Sequence, residues 1–256
     1  MYKNLSPVVI FLLGYIFIFQ QGSAQTSLSI GVKGGISVPD LQGSGDNPVS
    51  KGWSTRLGPY TGIIAELQIS DKFSLQSELN YSSQGGKKNG TLAIPTAQFL
   101  DYFGIDTSVA IPYIYTNGKS EAKLNYIELP VLLKINFPLS ELFTFFINAG
   151  PYAGYLINAK NKTEGSSNIY FDENLTQPIL PGPVSLDQTV NLKDDLNKLN
   201  FGIQGGLGLS YHLSTRSNLF LTGGGNYGLV HIQKDKANGS NNTGAATLVL
   251  GYLIKL

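Results

Sequence analysis

Cysteine is absent from the 256 residues, and histidine, tryptophan and methionine nearly so, at two, one and one. The missing thiols exclude disulfides, thiolate metal sites, a cysteine nucleophile and a lipoprotein anchor, and they leave the redox compartment open. Charge is also scarce, at 14% of residues against about 25% in ordinary soluble domains. The formal net charge is only +1. No basic stripe along the chain could neutralise phosphates, so nucleic acid is not an expected partner. Beyond the N-terminus no apolar run reaches the ~18 residues of a membrane helix. What is abundant is glycine, 30 residues, with 14 tyrosines and 13 phenylalanines. Aromatic residues are enriched in strands, and the length allows one large domain or two small ones.

The first 24 residues have the form of a secretory leader. Lys3 supplies a positive start, Pro7 to Phe19 an apolar core, and Gly22 and Ala24 the small positions of a cleavage site. The apolar core falls short of the ~20 residues of a spanning helix, so an uncleaved anchor is the lesser alternative. Residues 1–24 are therefore expected to be removed, leaving 25–256 as one domain. Only Lys3 is lost among charged residues, so 17 basic and 17 acidic side chains remain.

From there the pattern has period two. Leu28, Ile30, Val32, Ile36 and Val38 alternate with Ser29, Gly31, Lys33, Gly35 and Ser37. Ile63, Ala65, Leu67 and Ile69 oppose Gly62, Glu66, Gln68 and Ser70, and Phe73, Leu75, Leu79 and Tyr81 oppose Ser74, Gln76, Glu78 and Asn80. Residues 126–137, 142–157, 200–213, 217–230 and 245–256 continue in the same style, which makes eight strands. The links alternate strictly between short and long. Short turns fall at Ser70 to Lys72, Pro138 to Glu141 and Ser214 to Arg216; long loops cover about 38–57, 83–121, 158–198 and 233–243. In an up-and-down meander all long loops then share one end. TLAIP and SVAIPYIY inside the second loop could add a hairpin, so ten strands is the alternative.

Alternation alone leaves open which face points inward. A soluble ligand-binding barrel hides its apolar face, whereas an outer-membrane barrel turns it to lipid. Strands of 11 to 16 residues suit a tilted membrane crossing better than a soluble sheet. Glycine-rich polar faces with isolated charges suit a narrow lumen better than a solvated exterior, which would carry more Lys and Glu. Short turns at one end and long loops at the other complete the pattern. The expected fold is a closed antiparallel barrel in the outer membrane, monomeric and surrounded by lipid. Phe73, Phe137, Phe143, Phe201, Tyr211 and Tyr252 are candidates for its aromatic girdles.

YIELPVLLKI at 126–135 resembles the fourth-strand motif of the PorT-like outer-membrane β-barrel family of Bacteroidota. Tyr126, Glu128, Pro130 and Lys134 are its marking residues. GVKGGISV at 31–38, GIQGGLGLSYHL at 202–213 and LVLGYLIKL at 248–256 are similar to that family's first, sixth and last strands. The resemblance implies a small barrel with both termini in the periplasm. Some relatives are associated with protein secretion and surface attachment. No peptidoglycan-binding segment follows the last strand, so an envelope tether is not expected.

Candidate chemistry is thin. His212 lies beside a short turn and His231 near the top of strand seven, with no spacing that assembles a Ser-His-acid triad. No residues stand at metal-ligand spacing, and no glycine run precedes a helix to cradle phosphate. No cofactor is expected. The remaining constellation is the lumen file: Lys33, Glu66, Glu78, Glu128, Lys134 and Gln204, with Gln68, Gln76, Asn80 and Asn148. It reads as an ion network plugging the barrel, since eight strands enclose just enough room for side chains; a selectivity lining is the alternative. The expected function is that of a non-enzymatic outer-membrane barrel whose four long loops contact protein or glycan partners and which could be linked to secretion or envelope assembly. A small barrel enzyme acting on lipid or peptide is the alternative. Pro130 forfeits a ladder bond, so a bulge is expected there.

Overall fold

The computed structural model describes residues 26–43, 47–97 and 111–256. The leader expected over 1–24 lies outside these residues, as do parts of the first two loops. The strands are β1 (Ser27–Gly43), β2 (Gly58–Gln68), β3 (Phe73–Pro95), β4 (Tyr113–Pro138), β5 (Phe143–Glu164), β6 (Ser166–Ser167), β7 (Ile169–Tyr170), β8 (Val184–Ser185), β9 (Gln188–Asn191), β10 (Leu199–His212), β11 (Ser217–Gly228) and β12 (Asn241–Lys255). The eight long strands pair antiparallel in the order β4-β3-β2-β1-β12-β11-β10-β5, and β5 pairs back onto β4. The ring closes between the two chain ends, with Ile30 opposite Ile254 and Ile36 opposite Leu248. Closure removes the sheet edges whose unpaired backbone groups hydrocarbon could not satisfy.

The ring has eight strands rather than ten. TLAIP does not start a new hairpin but prolongs β3, and Tyr113 to Tyr115 begin β4, with Pro95 opposite Tyr113. β6 to β9 are short pieces of the third long loop: β7 pairs with β4, β9 with β5, and β6 and β8 with each other. The three tight turns share one device. Ser70 and Ser140 each open a turn and accept the backbone N–H three residues on with the side-chain oxygen, at 3.2 and 3.1 Å. Ser214 accepts the N–H two residues on, that of Arg216, at 3.3 Å. Serine caps a turn in this way because its hydroxyl mimics a backbone acceptor.

The alternating apolar files point outward. Ile30, Leu133 and Leu207 remain 47%, 50% and 57% exposed. On β4 this file runs from Ile127 to Phe137, about 33 Å along the strand and roughly 25 Å in height at a tilt near 40°. That is the height of the lipid-facing band of an outer-membrane barrel. Aromatic rows bound it. At the short-turn end Phe143 lies against Tyr211 with ring centroids 5.1 Å apart, and Phe137 against Phe145 at 6.0 Å. At the loop end Tyr81 and Tyr155 flank Ile127 on the two neighbouring strands.

The bulge is displaced from its expected place. Around Pro130 the register is unchanged: Ser77 pairs with Val131 and Asn80 with Glu128, while Pro130 itself pairs with Tyr152. The ladder is merely interrupted beside the proline, which loses bonds without inserting a residue. The register shifts instead between Asn125, opposite Asn158, and Tyr126, opposite Leu156, leaving Ile157 as the extra residue. A bulge reverses the alternation of its own strand. Beyond it Ala159 turns inward and Lys160 and Lys162 turn outward.

Candidate functional site: a sealed lumen below a walled vestibule

Inside the lipid-facing band the sequence-predicted lumen residues come together. Lys33 on β1 pairs with Glu78 on β3. Lys134 on β4 pairs with Glu66 on β2 at 2.8 Å. Glu78 also accepts hydrogen bonds from Asn80 Nδ2 at 2.7 Å and Gln204 Nε2 at 3.3 Å. Gln76 donates to the same carboxylate. Glu128 sits higher and meets different partners, accepting from Asn226 Nδ2 at 3.2 Å and Gln84 Nε2 at 3.4 Å. Asn148 is buried in the same lumen. Gln68 lies at the short-turn rim, where it accepts from Ser27. Buried charges survive in such surroundings when each is paired and its remaining valences are hydrogen-bonded.

Alternation hid the rings that complete the seal. Phe146 and Phe220 face inward and pack edge to face, centroids 6.4 Å apart, with Ile64 and Leu253. Lys134 Nζ stands 4.2 Å over the Phe146 ring and Lys33 Nζ 4.9 Å over that of Tyr60. The inward glycines make this possible. A Cβ on Gly251 would meet the Phe220 ring at 2.1 Å, and one on Gly208 the Phe146 ring at 2.4 Å. The lumen void beside the ion pairs is about 30 Å³, enough for about two waters.

Above this plug the interior changes character. Leu41, Ala122, Leu124, Tyr126, Leu156, Ala159, Leu196 and Ile232 form a buried apolar cluster, with Trp53 and Leu192 against it. Over it opens a vestibule of about 230 Å³. Lys88 lines it, its Nζ donating to the Pro48 carbonyl at 3.0 Å. Burial lowers the Lys88 pKa, and the charge of Glu173 opposes that shift. At the outer wall Arg56 is buried, donates to Ser83 Oγ at 3.1 Å and reaches Glu121 at 3.5 Å. Burial likewise depresses its pKa, against the pull of Glu121.

The histidines stand apart from the lumen network. His212 is held between Thr144 Oγ1 at 2.9 Å and Asn218 Oδ1 at 2.8 Å, beside the short turns. His231 Nδ1 lies 3.3 Å from Ser240 Oγ at the loop end. Among the described residues no group of three His, Asp or Glu side chains could hold a metal ion, and no helix is long and apolar enough to cross a membrane.

A closed ring of strands that shows apolar residues to its surroundings and pairs its charges within is a transmembrane β-barrel, and this one resides in the outer membrane. The chain belongs to the outer membrane protein beta-barrel domain family, whose model matches residues 19–234. Similar solved structures include Neisserial surface protein A, at 13% identity and a TM-score of 0.43, covering 92% of this chain and 100% of that one. A major outer membrane protein from Thermus thermophilus matches at 14% and 0.40, covering 91% and 100%. The attachment invasion locus protein Ail of Yersinia pestis, in complex with the heparin analogue sucrose octasulfate, matches at 8% and 0.37, covering 90% and 99%. No curated protein sequence matches this chain.

Proposed function

We propose that the protein is a non-conducting, non-enzymatic barrel of the PorT-like type, which displays a loop-walled vestibule to protein or glycan partners at the cell surface. The observation that carries this reading is the contrast inside the barrel. Two buried ion pairs and two aromatic rings occupy the lumen within the membrane, while the interior above it is a chamber of about 230 Å³ set over an apolar cluster. A plug of this kind has no continuous water path for ions, and the interior area left for recognition lies on the outer side. The leader expected over 1–24 fits export to that surface.

Two measurements test it together. Purified protein in planar bilayers should give no stepwise conductance, whereas replacing Lys33, Glu66, Glu78 and Lys134 by alanine should open one. Deleting residues 166–187 from the third loop should leave the heat-shifted band of the folded barrel intact and abolish surface cross-linking to the partner. Steady conductance by the native protein would overturn the plug.

One contact favours a second reading, a small barrel enzyme acting at the outer rim: the 3.3 Å approach of His231 to Ser240. Among the described residues no carboxylate completes a triad with them. If His231→Ala assembled normally but lost the phenotype of the native protein, the enzymatic reading would prevail.

A further inference from the structure

Above the lipid-facing band, β3, β4 and β5 continue as a wall, with β9 paired along β5 at its edge, and the outward face of the three long strands reads in rows. Tyr81, Ile127 and Tyr155 form the last lipid-facing row. The next is Ser83, Asn125 and Asn158, with the bulged, exposed Ile157 beside Asn158. Then come Gly85, Lys123 and Lys160; Lys87, Glu121 and Lys162; and Asn89, Lys119 and Glu164. Each row rises about 5 Å at a strand tilt near 40°. The lysines therefore begin about 10 Å above the last hydrocarbon contact, on the same surface that faces lipid below.

Charge on this face is unbalanced. Glu121 is already held by Arg56 at 3.5 Å and Lys123 at 3.3 Å, and Glu164 by Lys162. Lys87, Lys119 and Lys160 are exposed and form no ion pair among the described residues. Lys123 and Lys160 stand directly opposite each other, an arrangement that destabilises a sheet. The bulge at Ile157 is what brings Lys160 and Lys162 to this side; unbroken alternation would have sent them into the vestibule. A concavity of about 290 Å³ opens among Lys87, Lys119 and Lys162, with Glu121 and Glu164 also in its lining. Elsewhere on the ring the outward residues at this height include Asp40 and Gln42, with no lysine opposite them on β12.

We propose that this face binds the phosphorylated headgroup of the outer-leaflet glycolipid. The acyl chains would lie along Tyr81, Ile127 and Tyr155, and the phosphates would meet Lys123, Lys160 and Lys87. Position argues for lipid over a soluble anion, because the basic rows continue the lipid-facing surface instead of lining the vestibule mouth. Clusters of basic side chains next to a membrane surface bind anionic lipid additively.

The test is native mass spectrometry of the whole detergent-solubilised barrel titrated with phosphorylated lipid A. The triple variant K87Q/K123Q/K160Q is compared with K72Q/R216Q/K255Q, which removes the same charge at the opposite rim. Both must retain the heat-shifted band; should the first not fold, the single variants K87Q and K123Q replace it. The outer-face variant is expected to bind about tenfold or more weakly, the opposite-rim variant as the native protein does, and dephosphorylated lipid A poorly to all. Equal affinity in both variants, or indifference to the phosphates, would overturn the assignment. So would displacement of the lipid by equimolar inorganic phosphate or a soluble sulfated glycan, which would make the site one for free anions. Because conductance is not measured, failure here leaves the plugged-lumen reading standing.

Discussion

From Phe137 to Ile127, β4 shows apolar side chains outward and Lys134 and Glu128 inward; from Asn125 to Lys119 the same strand shows lysines outward and Leu124 and Ala122 inward. One strand, with unbroken alternation, has two opposite amphipathicities. The cause is a change of solvent. Where hydrocarbon surrounds the ring, a charge is cheaper inside beside a counter-charge. Where water surrounds it, the hydrophobic effect drives the apolar residues inward as in any soluble sheet. The inversion falls at the rung where β5 bulges, so the neighbouring strand adjusts its register at the level where the solvent changes.

That contrast can be broken at its strongest point first. Glu66→Ala strands Lys134 in the sealed lumen, and losing one partner of a buried pair costs about 3–5 kcal/mol. Urea-dependent folding into lipid vesicles should show that loss, and Glu66→Ala/Lys134→Leu should recover most of it. Leu133→Arg puts a charge near the middle of the apolar band and should cost about 2–4 kcal/mol in the same assay. Gly251→Val drives a side chain into the Phe220 ring and should cost about 1–3 kcal/mol through overpacking, seen as a lowered temperature for the heat-shifted band. Lys123→Leu, on the same outward face but above the band, should move stability by no more than about 0.5 kcal/mol. If Leu133→Arg and Lys123→Leu gave equal effects, the solvent boundary would be misplaced.

The sequence shows the lower half well and the upper half poorly, for one physical reason. Period-two alternation exposes both faces of the band, so the outward files and the lumen residues Lys33, Glu66, Glu78, Glu128, Lys134 and Gln204 are legible at once. Nothing in alternation says when the surrounding solvent changes, so the upper parts of β3, β4 and β5 read as loops rich in lysine and glycine. The inward rings of Phe146 and Phe220 are hidden because each sits among outward apolar residues, Phe145 and Leu221 being their neighbours in the chain. The glycines opposite them, Gly208 and Gly251, are the available signal. The basic wall is illegible because its lysines come from three separate segments, and two of them reach it only through a bulge. Pro130 misleads in the other direction: a residue that breaks the ladder need not shift it.

The solvent boundary along β4 can be measured directly, because a chain with no native cysteine accepts single spin labels without background. Labels placed one at a time at outward positions 119, 121, 123, 125, 127, 129, 131, 133, 135 and 137 in lipid vesicles would report relative access to oxygen and to a water-soluble nickel complex. The expected result is oxygen access from 135 up to 127, then a switch to nickel access complete by 123. Nickel access at 129, 131 and 133 equal to that at 119 would contradict a lipid-facing band.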